Sequence, residues 1–170
     1  GADAVMLSAE TAAGQYPYES VNMMDRIVAR VEQDDLWRAM IEASRAAPEG
    51  RAADAIAAAA QQVAHTIEAK SIVAFTASGR TALRVARERP VQPGIGLTPG
   101  LETARRRALI WGVHAMVTPD VRSMTEAVNR ASRAALTEGF ATHGDSIVVT
   151  AGVPFAHAGT TNALRVANVK

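Results

Sequence analysis

The sequence predicts an α/β fold: a five-stranded, mostly parallel sheet between two layers of helices, in a three-layer α/β/α sandwich. From residue 52 onward, short β-favouring runs alternate with longer helical patterns, which is typical of a parallel sheet covered on both faces. The last connection is about a dozen residues without a helical pattern, too short for a parallel crossover, so we expect the final strand to be antiparallel. A chain of 170 residues with 48% apolar residues is long enough to bury a sizeable core.

The composition of the chain argues against several classes of binding partner and of chemical reaction. The net charge of +1 gives no electrostatic reason to expect nucleic acid or an anionic membrane as the partner. The chain has no cysteine, which excludes disulfides and thiolate chemistry, and no apolar run near 18 residues that would predict a membrane span. It opens on Gly1 with no initiating Met and no signal-peptide pattern, so we expect a fragment of a longer chain.

The amino-terminal part predicts a short strand followed by two helices. Residues 4–7 are apolar and predict the strand, and residues 8–14 predict a loop of small residues. Pro17 suits the first position of a helix, whose apolar residues recur at helical spacing up to Val31. The pair Asp34-Asp35 indicates a break before a second helix.

The remainder predicts the alternating part of the fold. An alanine-rich helix is expected over residues 52–69, and a capping box is expected at Ser123 and Glu126 before another helix that stops at Gly139. Thr98 and Pro99 are expected to start a helix, and the three arginines at 105–107 are expected to lie mostly on its solvated surface. Strands are predicted at residues 71–75, 94–97, 113–117, 146–150 and about 164–169.

The turn after the first of these strands is the candidate binding site. It joins a buried strand to the start of a helix, whose first N–H groups have no partner within the helix. Those groups, the helix dipole and the hydroxyls of the turn favour an anion, and phosphate above other anions. The alternative is that Thr76 or Ser78 merely caps the helix. The candidate residues are Thr76, Ala77, Ser78, Gly79, Arg80 and Thr81.

A second loop, residues 152–161, also follows the carboxyl end of a strand, where ligands of such sheets bind, so the two loops are expected to face one pocket. The four histidines lack metal-ligand spacing, and His65 and His114 are interpreted as structural. His157 lies in the second loop, where an imidazole would make ligand binding depend on pH, although an ordinary exposed histidine is the simpler interpretation.

Short motifs along the whole chain occur in the order and at the spacing of one enzyme family. Residues 1–12 read GADAVMLSAETA and residues 14–17 read GQYP, which closely resembles the end of the catalytic barrel of pyruvate kinase. Residues 75–82 read FTASGRTA and resemble the effector phosphate loop of that family. Residues 159–162, GTTN, and 164–166, LRV, resemble its C-terminal signature. The resemblance implies that residues 1–34 are the last strand and helix of a (β/α)8 barrel and residues 35–170 the C-terminal effector-binding domain.

The resemblance also implies what the chain lacks. Pyruvate kinase transfers phosphate between phosphoenolpyruvate and ADP in glycolysis, with Mg²⁺ and usually K⁺, in the cytoplasm. The family's catalytic and metal-binding residues belong to earlier strands, so we expect no catalytic residue, metal site or cofactor here and no phosphotransferase activity in the chain alone. The implied partners are a phosphorylated effector, the rest of the chain and further copies, giving a tetramer for the parent. The oligomeric state of the fragment stays open, with a dimer as one alternative. A free-standing phosphometabolite sensor and a purely structural oligomerisation domain remain alternatives.

The same resemblance assigns roles within the two loops. Thr76, Ser78 and Thr81 would offer hydroxyls, the backbone at Ala77 and Gly79 would offer N–H groups, and Arg80 would add charge. The closing loop would contribute Gly152, His157, Gly159 and Thr160. Relatives that bind a bisphosphate use an arginine where this chain has Ala127, and Arg122 and Arg130 are nearby but out of register, so a monophosphate is at least as well favoured. The effector's identity and the direction of regulation stay open.

Overall fold

The computed structural model describes residues 2–44, 50–155 and 160–170. The chain divides into two compact units, between residues 47 and 48. This division reflects which residues pack together. The expected boundary between residues 34 and 35 instead separates residues that correspond to a barrel from those of the C-terminal domain, and it stays a prediction.

The first unit is helical in its described part. Its helices are α1 (Ala9–Ala12), α2 (Pro17–Glu32) and α3 (Asp35–Ala43). Pro17 is the first residue of α2, as expected from its fixed φ. The predicted break is also confirmed, because the Asp34 carboxylate accepts the N–H of Leu36 at 2.9 Å and so starts α3 as its N-cap.

The strand predicted at residues 4–7 is wrong for this chain. The segment has no regular secondary structure, and most of it is exposed. A strand needs a neighbour to pair its N–H and C=O groups, and the described residues of this unit contain no other strand. The loop predicted at residues 8–14 includes the single helical turn α1.

The second unit is the predicted sandwich. Strand order is β3-β2-β1-β4-β5; β5 is antiparallel to β4, and every other neighbouring pair is parallel. This confirms the fold class, including the antiparallel last strand. The elements are α4 (Ala52–Thr66), β1 (Ser71–Phe75), α5 (Arg80–Arg87), β2 (Gly94–Thr98), α6 (Leu101–Arg107), β3 (Val113–Val117), α7 (Met124–Thr137), β4 (Ser146–Ala151) and β5 (Ala163–Asn168).

Two clusters of buried residues cover the two faces of the sheet. Successive strand residues point to opposite faces, so Val73 of β1 joins the cluster that includes α7, whereas Ile72 joins the cluster that includes α4. Helix α4 contributes Ala57, Ala60 and Ala64 to that second cluster, and these small side chains allow close approach to the sheet. The core therefore lies within this unit and holds the carboxyl ends of its strands in place.

Two predicted helix starts have different outcomes. Thr98 does not begin a helix: it is the last residue of β2, pairs with Val117 of β3 and is almost fully buried, so α6 begins only at Leu101. The sheet offers Thr98 a ladder partner that the local pattern could not reveal. Ser123 does cap α7, with its hydroxyl accepting the N–H of Glu126 at 3.1 Å. No helix in the described part of the chain is long and apolar enough to cross a membrane.

Candidate functional site

The candidate turn lies at the carboxyl edge of the sheet, between β1 and α5. The N–H of Thr76 donates to the carbonyl of Leu97 at 2.9 Å, which extends the pairing of β1 with β2 into the turn. Gly79, rather than Thr76 or Ser78, is the N-cap of α5, and its φ of +80° is left-handed. Because glycine has no side chain, the N-cap residue supplies no acceptor to the N–H groups at the start of α5.

The side chains of the turn divide into an exposed and a buried set. Ala77, Ser78 and Arg80 are exposed, so the hydroxyl of Ser78 and the charge of Arg80 are accessible to a ligand. Thr76 and Thr81 are buried. An anion from solvent would therefore first contact this exposed part of the turn.

Thr81 connects the turn to the second loop. Its Oγ1 lies 2.7 Å from Oγ1 of Thr161, and both residues are buried. A pair of hydroxyls uses only one of its two hydrogens in the mutual bond, which leaves the other O–H able to donate elsewhere. The structure thus places the start of α5 beside the end of the second loop.

The second loop is held at its two ends. A Cβ on Gly152 would overlap the carbonyl of Thr160, so only glycine permits this close backbone approach. The Asn162 side chain accepts the N–H of Val153 at 2.8 Å and donates to its carbonyl at 2.6 Å. Among the other predicted loop residues, Thr160 is exposed, whereas His157 and Gly159 lie outside the described residues.

Helix α6 contributes two contacts that the sequence analysis missed. Arg107 donates from Nη2 to the carbonyl of Ser78 at 2.9 Å, and Thr103 donates from Oγ1 to the carbonyl of Ala77 at 3.3 Å. The expectation that most of the three arginines lie on the solvated surface is confirmed, because Arg105 and Arg106 are exposed, and Arg107 is the exception. The signal that could have found these contacts is their spacing of four residues, which puts both side chains on one face of α6.

The position expected to bear an arginine in bisphosphate-binding relatives is closed in this chain. Ala127 is fully buried and belongs to the core cluster that includes α7. Arg130 lies one turn further along α7, where it contacts the Glu126 carboxylate at 2.7 Å and the carbonyl of Pro119 at 2.9 Å. Neither residue therefore supplies an uncommitted charge for a second phosphate.

A metal centre has no support in the part of the chain that the structure describes. No group of three or more His, Asp or Glu side chains there is arranged to hold a metal ion. His114, interpreted as structural, lies with Nε2 3.0 Å from the Glu138 carboxylate. The chemistry available at the turn is hydrogen-bond donation and positive charge, which suits anion binding rather than bond breaking.

Comparison with known proteins identifies the family. The sequence model described as "Pyruvate kinase, alpha/beta domain" matches residues 54–167. The chain belongs to the pyruvate kinase family. A pyruvate kinase from Methylorubrum extorquens is 49% identical over 169 residues, covering 99% of this chain and 35% of that protein. One from Agrobacterium vitis is 46% identical over 166 residues.

Solved pyruvate kinases share the fold. The crystal structure of the enzyme from Cryptosporidium parvum superposes with a TM-score of 0.85 at 29% identity, covering 98% of this chain and 33% of that one. The chain spans about a third of the length of such relatives, 35% for the Methylorubrum protein. It corresponds to the C-terminal part of pyruvate kinase, and its relatives are phosphotransferases.

Proposed function

We propose that this chain is the regulatory C-terminal part of a pyruvate kinase and that the turn at residues 76–81 binds the phosphate of an allosteric effector. One observation carries the proposal: the left-handed Gly79 leaves the start of α5 without a side-chain acceptor beside the exposed Ser78. N–H groups at a helix start are a recurrent phosphate site. The resemblance of residues 75–82 to the family's effector phosphate loop supports the same role.

The reaction of the parent enzyme is part of this proposal. The longer protein would transfer phosphate between phosphoenolpyruvate and ADP in the cytoplasm, with Mg²⁺ and K⁺ bound by residues outside this chain. The chain alone would be inactive, because the resemblance assigns the family's catalytic and metal-binding residues to earlier strands that have no counterpart in this chain. A coupled assay of the purified chain that detected pyruvate would refute this part.

The effector is proposed to be a monophosphate, such as a sugar or nucleoside monophosphate. The support is the buried Ala127 and the engagement of Arg130 with Glu126 and Pro119. A bisphosphate would bring a second doubly charged group to a place where Ala127 has no charge and Arg130 is already engaged, and where the exposed Arg122 is out of register with the position that bears the arginine in relatives. We therefore expect no gain in affinity from a second phosphate.

The test is thermal unfolding with inorganic phosphate, a hexose monophosphate, a nucleoside monophosphate and a hexose bisphosphate. At roughly a hundredfold excess over Kd, a ligand stabilises the folded state by about 2.7 kcal/mol, or several degrees in Tm. Ser78→Asp should abolish this shift, because its carboxylate repels phosphate at the turn. Asn129→Asp, the same charge change at an exposed position of α7, should preserve it. The effector site fails if none of these ligands raises Tm or if Ser78→Asp responds like the wild type.

A second copy of the chain is proposed as a partner, through strand β5. This strand lies at the edge of the sheet, and Val166 is exposed on it. An unpaired edge is able to pair with the same edge of another copy. Sedimentation should show a dimer that Val166→Lys weakens, whereas Val117→Lys, on the opposite edge strand β3, should not. A monomeric wild type would refute this partner.

A further inference from the structure

We propose that Arg107, assisted by Thr103, is a positioning residue that directs two backbone N–H groups of the turn toward the phosphate. The inference rests on the proposed effector site and adds to it a part of the mechanism contributed by α6. It concerns residues that the sequence motif of the loop does not contain, because α6 is a separate element that follows the neighbouring strand.

The argument begins with the geometry of the peptide bond. In a planar trans peptide, the C=O of one residue and the N–H of the next point in opposite directions. The Ala77 carbonyl is bound by Thr103, so the N–H of Ser78 is directed away from α6. The Ser78 carbonyl is bound by Arg107, so the N–H of Gly79 is directed away from α6 as well. Thr98 of β2 also donates to the Ala77 carbonyl, at the longer distance of 3.5 Å. The orientation of the two consecutive peptides is therefore set mainly by two side chains of α6.

The fit between Arg107 and Gly79 makes this arrangement specific. A Cβ on Gly79 would overlap the Arg107 side chain, so the guanidinium lies directly on the glycine backbone. The φ of +80° at Gly79 is also a conformation that other residues rarely adopt. Glycine is thus required both for the turn and for the approach of Arg107.

Electrostatics favour an anion beside this arrangement. The guanidinium lies next to the N-cap of α5, where the helix dipole is positive. Arg107 Nε is buried and has no hydrogen-bond partner in the part of the chain described by the structure. Two positive features at one place repel each other, and a phosphate monoester dianion bound at the turn would relieve that repulsion. The inferred ligand class is therefore a dianionic phosphate monoester.

The experiment follows backbone amide resonances by NMR while inorganic phosphate is titrated into the 170-residue chain. Arg107→Met should displace the Ser78 and Gly79 resonances before phosphate is added and should weaken phosphate binding about tenfold, as expected for a lost hydrogen bond from a charged group. Arg106→Met removes the same charge from an exposed position of α6 and should change neither result. Arg107→Lys should partly restore the resonance positions and the phosphate affinity, because its ammonium donates to the Ser78 carbonyl but lacks the planar fork of a guanidinium.

A second variant keeps the test decisive if Arg107→Met does not fold. Thr103→Val removes the hydroxyl at nearly constant shape and should displace the Ser78 resonance, with about a threefold loss in phosphate affinity for a neutral hydrogen bond. Phosphate binding that is equally tight in Thr103→Val, Arg107→Met and the wild type would overturn the positioning role and leave the effector site standing. Arg107→Lys could instead restore the full phosphate affinity while the Ser78 and Gly79 resonances stay displaced. That result would mean that Arg107 acts through its charge alone, and it would also overturn the positioning role. A wild type whose resonances at residues 76–81 ignore phosphate would refute the effector site itself.

Discussion

The two units of the chain differ in how their apolar residues are used. The second unit buries both faces of its sheet, with Ile72, Val148 and Ile147 inaccessible to solvent. In the first unit, none of the three helices contains a buried residue, and Met6 and Tyr18 are 83% and 76% exposed. Helical periodicity therefore specifies a helix without providing a partner for its apolar side. The barrel origin expected for residues 1–34 would account for the exposed apolar side of α2, and it stays a prediction.

The largest expected difference comes from truncating one isoleucine in each unit. Ile147→Ala removes a fully buried side chain from β4 and should lower the free energy of unfolding by about 2–5 kcal/mol. Ile27→Ala removes a side chain of α2 that is 52% exposed and should cost less than about 1 kcal/mol. Urea unfolding measures both. The two tryptophans separate the units, because Trp37 lies in α3 and Trp111 lies in the second unit.

If the two truncations lowered the free energy of unfolding by similar amounts, Ile27 would have to be buried in solution. The contrast between the two units would then fail. A dimer that covers α2 would produce this result, and it would make the cost at Ile27 depend on protein concentration. The measurement should therefore be repeated at two concentrations, in a Trp37→Phe background in which Trp111 reports on the second unit alone.

The helix caps offer a smaller contrast of the same kind. Ser123→Ala removes the acceptor of the Glu126 N–H at the start of α7, and should lower the free energy of unfolding of the second unit by about 1 kcal/mol. Asp34→Ala removes the acceptor of the Leu36 N–H in the first unit. It should reduce helix content in circular dichroism and leave the Trp111 transition unchanged. A shift of that transition by Asp34→Ala would show that the two units unfold together.

The fold was predictable where neighbouring residues decide the structure. Strands β1 and β3 follow from apolar runs, and the start of α2 follows from Pro17. The end of α7 follows from the left-handed Gly139 just past it. The strand predicted at residues 4–7 and the helix start predicted at Thr98 were wrong, because a strand depends on a partner distant in sequence. Local pattern alone contains no information about such a partner.

The candidate site shows the same limit. The turn at residues 76–81 is contiguous and has a motif of its own, so its position between β1 and α5 was predicted correctly. The contact of Arg107 with Ser78 spans 29 residues, and the hydroxyl pair of Thr81 and Thr161 spans 80. Both arise from the order of strands in the sheet, which brings the ends of separate connections together. The sequence alone offered only the spacing of Thr103 and Arg107 as a hint.

The smallest expected contrast between the two units is in their loss of stability at low pH. The pKa of Glu126 lies below its ordinary value, chiefly because its carboxylate accepts the backbone N–H of Arg122 at 2.9 Å, and secondarily because Arg130 donates to it. The pKa of Glu10 is also lowered, by its own backbone N–H and by that of Ser8. A carboxyl with a lowered folded pKa stabilises the protein above its unfolded pKa, and this contribution is lost as the pH falls through the folded value. Between the two values the unfolded state binds more protons, so acid favours unfolding.

The two carboxyls should differ in which unit they affect. Glu126→Gln should flatten the acid side of the stability profile of the second unit, measured by urea unfolding through Trp111 from the ordinary glutamate pKa downward. Glu10→Gln should leave that profile unchanged, because Glu10 belongs to the first unit. Carboxyl resonances followed by NMR would check that both groups titrate below their ordinary range. If Glu10→Gln changed the Trp111 profile as much as Glu126→Gln, the stability of the second unit could not be assigned to its own residues. The contrast between a unit with a buried core and one whose described helices contain no buried residue would then fail.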